Sequence, residues 1–276
     1  MDFGFTEEQE FLRQEVRKFL ERSSPMTEVR KVTETPEGFS HDLFKQICEL
    51  GWVGLTVPEE HGGAGLGWFD LGVILEETGR ALFPSPLLST TLAGAAIAGV
   101  GSAEQQARWL PGIAEGSSIG TVAILEGTDS FEPAGVQLKG SPENNGFVLN
   151  GEKLFVTDAE AATLFVIPFR SGPQPTDLSL AVIDRDAAGL SIEHQPTIDL
   201  TKRMGRIRLE SVRIGSGAIL GASGSAWPTV QHLIDRGACS VTAEIVGAAE
   251  AALDLTTRYA KERLQFGDPI GRYQSV

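Results

Sequence analysis

The pattern of apolar and polar positions changes twice along the chain and divides it into three blocks. Residues 1–115 repeat apolar side chains at intervals of three and four, as amphipathic helices do. Residues 116–224 hold short runs rich in β-branched residues at near-regular spacing, which is typical of strands. Residues 225–276 return to the helical period. We therefore predict an α-helical domain, a β domain and the first part of a second α-helical domain.

Helix starts and stops refine the first block. Capping boxes at Thr6 and Ser102 each predict a helix start, and Pro111 is expected to end the helix that Ser102 opens. The polar segment 24–39 has no clear period and is predicted to be a loop or short turns. Other predicted helices are Ser40–Leu50, Trp68–Leu82 and an almost wholly apolar, buried one at Leu87–Val100.

The second block is predicted to form an antiparallel barrel or sandwich and not a Rossmann unit, because no helix separates its strands. The dipeptides Asn145-Gly146 and Asn150-Gly151 are interpreted as turns. The predicted strands are Thr121–Leu125, Val136–Gly140, Phe147–Leu149, Lys153–Thr157, Thr163–Phe169, Leu178–Ile183, Leu190–His194 and Arg206–Val212.

One long helix, from about Trp227 to Arg263, fills the third block. Gly267 and Pro269 are stop signals, and a second helix is predicted to begin at Tyr273. Since one helix cannot bury its own apolar face, we expect the rest of a bundle to come from residues after 276 or from another chain. We interpret the sequence as a truncated product. The residues predicted to form that buried face are Ile234, Val241, Ile245, Ala249, Ala252 and Leu255.

Composition narrows the class of protein. The net charge of −14 argues against nucleic-acid binding, although single arginines and local amides can still bind an anion. The apolar run 92–100 is far shorter than the roughly 20 residues of a membrane span. The acidic N-terminus is no signal peptide, and the four histidines show no metal-ligand spacing. Cys48 and Cys239 are interpreted as small core residues in a reducing compartment. We expect a cytoplasmic protein.

The end of the long helix is the first candidate site. An arginine, Arg263, and an aromatic ring, Phe266, flank the stop signal, and such groups suit an anionic planar ligand. The alternative is an ordinary helix hairpin with a solvated charge at its end. The glycine-rich stretch 59–65 is interpreted as a flexible connector, because it lacks the spacing of a phosphate loop.

Four segments resemble the acyl-CoA dehydrogenase family, and they occur in that family's order. They are 51–65 (GWVGLTVPEEHGGAG), 75–80 (LEETGR), 150–157 (NGEKLFVT) and 259–267 (YAKERLQFG). The resemblance implies helical, β-barrel and four-helix-bundle domains, of which the bundle is only begun here. It also implies non-covalently bound FAD, oxidation of an acyl-CoA thioester to the trans-2-enoyl-CoA, and transfer of electrons to an electron-transferring flavoprotein.

The resemblance also implies roles for residues of the β domain. Thr157 matches a threonine whose hydroxyl meets the flavin N5, and Phe155 stands where the family usually has a tryptophan packed on the flavin. Leu125 replaces the threonine that bonds the flavin pyrimidine, and Ser130 is a stand-in for a missing serine. This altered loop, 125–130, departs from the family pattern and puts flavin binding in question.

The resemblance also has implications for the oligomeric state and for the catalytic base. Arg263, Phe266 and Gln274 match residues that contact the FAD of a neighbouring subunit, which implies a homodimer or homotetramer. The catalytic base of most members lies in the later bundle, so we expect it beyond Val276. A minority carry it on the long helix, where Asp235 and Glu244 are candidates. The alternatives are a first-turn helix charge for Asp235 and a buried, paired carboxylate for Glu244.

Two other functions stay open. The chain resembles a non-catalytic partner subunit of a heteromeric acyl-CoA dehydrogenase in its altered loop, 125–130. It also resembles other flavin oxidases or monooxygenases of the same fold. The acyl group and its chain length are not indicated by any motif.

Overall fold

The computed structural model describes residues 4–273, which follow the predicted order of helices, sheet and helix. The first block contains six α-helices and a single 3-10 turn at Glu59–His61 within the described residues. Both predicted capping boxes are formed, at Thr6 with Gln9 and at Ser102 with Gln105. The helices are α1 (Glu7–Ser23), α2 (Met26–Thr33), α3 (His41–Glu49), α4 (Trp68–Arg80), α5 (Leu87–Val100) and α6 (Ala103–Glu115).

Two local predictions in this block are wrong. Segment 24–39 contains the eight-residue helix α2, which buries Val29. Pro111 does not end α6, which continues to Glu115 and ends at the left-handed Gly116. Burial of Ile113 and Ala114 after the proline explains the continuation, because tertiary packing outweighs the loss of one helical hydrogen bond.

The second block forms an eight-stranded sheet in which β6-β7-β3-β2-β4-β5-β8 are neighbours and β1 pairs with β4. Most pairs are antiparallel, but β1 and β2 each pair with β4 in parallel. The strands are β1 (Gly120–Val122), β2 (Lys139–Glu143), β3 (Gly146–Thr157), β4 (Leu164–Arg170), β5 (Leu178–Asp184), β6 (Leu190–Gln195), β7 (Met204–Gly215) and β8 (Ile219–Leu220).

The strand β3 is one continuous element where two strands and a turn were expected. The prediction of a turn at Asn150-Gly151 is wrong, because these residues form a bulge against β7. The Asn150 side chain accepts the Ser211 N–H at 2.8 Å, and Gly151 has a positive φ of 146°. A second bulge lies between Lys153 and Val156. A bulge redirects side chains at the end of a strand, and this one precedes Thr157.

Two hydrophobic clusters join the helical block to the sheet, one on each face of strand β4. Every residue of β4 from Leu164 to Phe169 is buried, because one face meets α5 and α6 and the other meets the core beneath α3 and α4. Helix α5 is buried along most of its length, as its composition predicts. Cys48 is a core residue as expected, whereas Cys239 is exposed and that part of the prediction is wrong.

The third block is the 36-residue helix α7 (Trp227–Glu262), followed by a small hairpin of β9 (Leu264–Gln265) and β10 (Asp268–Pro269). Helix α7 packs on α4 through two glycines. A Cβ added to Gly79 would collide with the Glu244 carbonyl, and one added to Gly247 would collide with the Glu76 carbonyl. The two backbones therefore touch at this crossing.

The predicted buried face of α7 is largely exposed in the single chain. Val241, Ile245 and Leu255 are 43%, 60% and 64% exposed, while Val230 and Leu233 are buried. The face that packs is built from small residues near the glycine contact, so the larger apolar residues lie beside it. The predicted second helix from Tyr273 lies outside the described residues, apart from Tyr273 itself, which is not helical. Within 4–273, no helix has the length and apolar character to cross a membrane.

Candidate active site

A cavity of about 320 Å³ lies where the helical block, the sheet and α7 meet. Leu82, Phe83 and Leu88 line it from the helical block, and Val241 and Ile245 line it from α7. Its polar lining comes from the end of β3, from the β6–β7 loop and from Glu244. An apolar cleft with a few convergent polar groups is the usual form of a small-molecule site.

Thr157 brings a hydroxyl into this cavity from the last position of β3. That hydroxyl has one weak partner among the described residues, the sulfur of Met204 at 3.5 Å. Two residues earlier, the ring of Phe155 is 53% exposed and its backbone N–H donates to the Gln195 side chain at 2.7 Å. An available hydroxyl and an open aromatic ring therefore lie two residues apart at the bulged end of the strand.

Strained backbone clusters around the same place. Leu82, Phe155 and Asp158 have φ values of 49°, 51° and 55°, in the left-handed region that non-glycine residues rarely occupy. Such strain is commonly retained where function requires a particular side-chain placement. Leu82 and Asp158 line the cavity, and Phe155 precedes the cavity-lining Thr157 by two residues on β3.

The loop 125–130 runs beside this strand end. The Leu125 carbonyl accepts the Leu154 N–H at 2.8 Å, which fixes the start of the loop against β3. The Ser130 hydroxyl accepts the backbone N–H of Glu132 at 3.2 Å. The Leu125 backbone is thus fixed at Leu154, the residue before Phe155, while the Ser130 side chain is used within its own turn.

A buried ion pair holds the start of this loop. The Lys153 ammonium is fully buried, donates to Glu126 at 2.7 Å and also donates to the Ile124 carbonyl at 3.2 Å. The Glu126 carboxylate accepts the backbone N–H groups of Gln137 and Leu138 at 2.9 Å and 3.1 Å. Burial lowers the pKa of Lys153 to about 8, and the carboxylate of Glu126 opposes that effect.

A second polar cluster lines the cavity. The Ser89 hydroxyl donates to one oxygen of Asp158 at 2.6 Å, and the Lys202 ammonium donates to both oxygens of Glu244 at 2.9 Å and 3.0 Å. Removal from water raises the pKa of Asp158 to about 6. The hydrogen bond from Ser89 and the charge of Lys202 lower it, and the charge of Glu244 raises it.

The two candidate bases lie in different surroundings. Glu244 lines the cavity that contains Thr157, and it is a paired, mostly buried carboxylate. Asp235 lies in a separate cleft beside Trp68 and Cys239, is exposed, and accepts a hydrogen bond from Gln231 at 3.0 Å. The structure therefore brings Glu244, and not Asp235, together with Thr157.

The predicted residues at the end of α7 are distant from this cavity within the chain. Arg263 is exposed and Phe266 is 94% exposed. Nineteen residues separate Glu244 from Arg263, almost all of them helical, which corresponds to about 28 Å at the usual rise per residue. The side chain of Arg263 cannot reach its own chain's Thr157. Gln274 lies outside the described residues.

Sequence reasoning missed several residues of the site. Lys153 lies inside the NGEKLFVT segment, but the two bulges of β3 break the alternation of inward and outward side chains there, so the local pattern does not mark this lysine as buried. Its partner Glu126 lies in loop 125–130, where the family resemblance indicates flavin contacts and no ion pair. Asp158 and Lys202 had no sequence signal, because they meet Ser89 and Glu244 only through the fold.

Three family models match successive parts of the chain. The acyl-CoA dehydrogenase N-terminal domain matches residues 6–117, the middle domain 122–212 and the C-terminal domain 224–276. Together they cover most of the sequence, and they follow the order of helical block, sheet and α7.

Individual proteins agree with this assignment. Acyl-CoA dehydrogenase IpdE2 of Mycolicibacterium smegmatis is 35% identical over 98% of this chain and 70% of its own length. A solved structure described as Tcur3481-Tcur3483 steroid ACAD G363A variant is 32% identical, with a TM-score of 0.85 over 98% of this chain and 71% of that one. PigA with FAD and proline shares the fold at 23% identity, with a TM-score of 0.91 over 100% of this chain and 74% of that one. The chain belongs to the acyl-CoA dehydrogenase family, which comprises FAD-dependent oxidoreductases.

Proposed function

We propose that the protein binds FAD and oxidises an acyl-CoA thioester to the trans-2-enoyl-CoA. One observation carries the proposal: the Thr157 hydroxyl lines an apolar cavity at the bulged end of β3, and the exposed ring of Phe155 lies two residues earlier on the same strand. We further propose that an electron-transferring flavoprotein accepts the electrons, and that the protein acts in the cytoplasm.

The residues present fit a flavin. The open ring of Phe155 offers apolar contact area to a planar ring system, and the weakly bonded hydroxyl of Thr157 can donate to a ring nitrogen. Leu125 has no side-chain hydrogen bond to offer, but its backbone is fixed beside β3 and can take that role. When bound, FAD supplies the acceptor for the hydride that leaves the β-carbon.

Protein side chains must accept the α-proton and exclude water from the reaction. A carboxylate must accept the α-proton, so that the substrate loses one proton and one hydride. Glu244 already accepts two hydrogen bonds from Lys202, and we place the base outside residues 4–273. The apolar lining, including Leu82 and Val241, excludes water from the reacting carbons.

Reconstitution with FAD tests the proposal. The protein should bind FAD with the absorbance of an oxidised flavin, and an acyl-CoA should bleach it without oxygen. Phe155→Ala should weaken FAD binding about five- to tenfold, since it removes the ring contact. Phe11→Ala, which removes a ring on α1 that is 65% exposed, is the matched control. A protein that binds no FAD, or one whose FAD no acyl-CoA reduces, would overturn the proposal.

A heteromeric assembly is the second candidate. The name of the steroid ACAD structure joins two protein designations, Tcur3481 and Tcur3483. In addition, loop 125–130 of this chain departs from the family's sequence pattern. In that arrangement the partner chain would supply the missing flavin contacts. Full FAD binding by this polypeptide alone would exclude it.

A further inference from the structure

We propose that Lys202, Glu244 and Asp158 select acyl groups that carry a neutral hydroxyl. The inference rests on the proposed function, because it names the substrate class of the same cavity. It concerns carbons of the acyl chain beyond the two that react.

The helix crossing closes the cavity at this cluster. Glu244 lies where the α4 and α7 backbones touch, since its carbonyl occupies the space that a side chain on Gly79 would need. No gap is left between the helices at that point through which an acyl chain could continue. A substrate that fills the cavity must therefore end against, or pass along, the Lys202–Glu244 pair.

Hydrogen-bonding capacity remains within the cluster. An ammonium has three donors, and Lys202 uses two of them on Glu244. One oxygen of Asp158 accepts from Ser89, while the other has no hydrogen-bond partner among residues 4–273. A hydroxyl can accept the third N–H of Lys202 and donate to a carboxylate oxygen in return. A single neutral group thus satisfies both kinds of site.

Other acyl groups fit this cluster less well. A plain hydrocarbon chain would displace water from charged groups without replacing its hydrogen bonds. A second carboxylate would meet two carboxylates, Asp158 and Glu244, that share one lysine. The remaining lining, including Leu82, Phe83 and Ile245, is apolar and suits the aliphatic part of the chain.

A matched substrate panel tests the inference on the FAD-loaded protein. We would compare hexanoyl-CoA, its γ-, δ- and ε-hydroxylated analogues, and adipoyl-CoA, by the concentration that half-saturates anaerobic bleaching. At least one hydroxylated analogue should half-saturate at a concentration about tenfold lower than hexanoyl-CoA does. Equal or better saturation by hexanoyl-CoA, or by adipoyl-CoA, would overturn the inference.

A double variant shows whether these residues cause the preference. Lys202→Met with Glu244→Leu removes both charges together, so that neither is left unpaired, and should abolish the preference for the hydroxyl. Lys45→Met, at an exposed lysine of α3, should retain it. A double variant that keeps the preference would overturn the inference, and if that variant does not fold, the panel on the unaltered protein still decides.

The outcomes separate this inference from the proposed function. Absence of FAD binding would remove both, whereas bleaching by every acyl-CoA without any preference would remove this inference alone. Glu244→Gln adds a second readout. The advantage of the hydroxylated analogue in half-saturating concentration should shrink, while the maximal bleaching rate should fall far less than the loss of a base would cause. A loss of rate of about a thousandfold would make Glu244 the base, and it would overturn its assignment as a selecting residue.

Discussion

Asp158 and Lys153 are two charged side chains that the fold treats in different ways. Lys153 is fully buried with a close partner, Glu126, which also holds two backbone amides of the neighbouring segment. Asp158 is partly buried at the cavity wall, and among the described residues its carboxylate accepts a hydrogen bond only from a serine hydroxyl. Its backbone is left-handed as well. The first residue supports the site's structure, whereas the second is held at a cost to stability.

Asp158→Asn should change how stability depends on pH. Because the folded-state pKa of Asp158 is about 6, above its unfolded value near 4, its stabilising contribution is complete below about pH 4. That contribution is lost as the pH rises through about 6. Asparagine can keep the Ser89 hydrogen bond and tolerates the left-handed backbone. At neutral pH the variant should therefore be more stable by about 1–3 kcal/mol.

Urea unfolding between pH 4 and 8, roughly the window of this titration, measures the effect. The difference in unfolding free energy between variant and unaltered protein should grow from acid to neutral pH. A difference that does not change with pH would contradict the assignment of the raised pKa to Asp158.

Lys153→Met should destabilise the protein by about 3–5 kcal/mol, because it leaves the Glu126 carboxylate buried without its partner. Lys18→Met removes an exposed lysine that pairs with Glu15 on the surface of α1, and it should cost less than about 1 kcal/mol. Chemical unfolding of both variants measures the two losses. If both variants lost the same unfolding free energy, the buried Lys153–Glu126 pair would contribute no more to stability than the surface Lys18–Glu15 pair does.

Among the contacts between secondary-structure elements, the one between α4 and α7 determines the shape of the cavity. Gly79 and Gly247 let the two backbones meet, and the same crossing places Glu244 against the cavity. The larger apolar residues of α7 lie outside this contact and stay exposed in the single chain.

Gly79→Ala should lower the free energy of unfolding by about 1–3 kcal/mol, because the added methyl group collides with the Glu244 carbonyl. Gly72→Ala, in the same helix with nothing near the added atom, should instead stabilise the protein by about 0.5–1 kcal/mol through helix propensity. Thermal and urea unfolding of the pair give the comparison. Stabilisation by both substitutions would mean that the helices are not in contact at Gly79.

The helices and strands also show which parts of the fold could be predicted from the sequence. The helices of the first block and the order of the three blocks followed from periodicity and capping, as at Thr6 and Ser102. The Asn150-Gly151 bulge and the helix past Pro111 did not, because cross-strand pairing and core burial outweighed local propensity there. Of the site, Thr157 was found through its motif, whereas Lys202 meets Glu244 across 42 residues and has no local signal.

At the scale of the whole molecule, the predicted flavin contacts lie in two places, because Arg263 is about 28 Å along α7 from Glu244, which lines the same cavity as Thr157. Phe155 and Thr157 stand at the end of β3, while Arg263 and Phe266 are exposed beyond α7. Both groups can act on one cofactor only if a second chain brings its own Arg263 to the first chain's β3. We propose such an assembly of at least two chains.

Complementation between variants tests that assembly. Thr157→Val and Arg263→Ala should each weaken FAD binding when present in every chain. If the two variants are unfolded and refolded together, half of the dimers should be hybrids with one intact site each, so about a quarter of all sites should bind FAD normally. Separate refolding followed by mixing is the control. No recovery in the co-refolded sample would mean that both residues act within one chain.

The glycine contact has a consequence for how such proteins diverge. Because the spacing of two helices sets one wall of the cavity, a single methyl group added at Gly247, which does not line the cavity, would push α7 away from the Glu76 carbonyl and open that wall. The range of acyl groups that fit the cavity can therefore change through a substitution between the helices. A comparison of the residues that line the cavity would not reveal it.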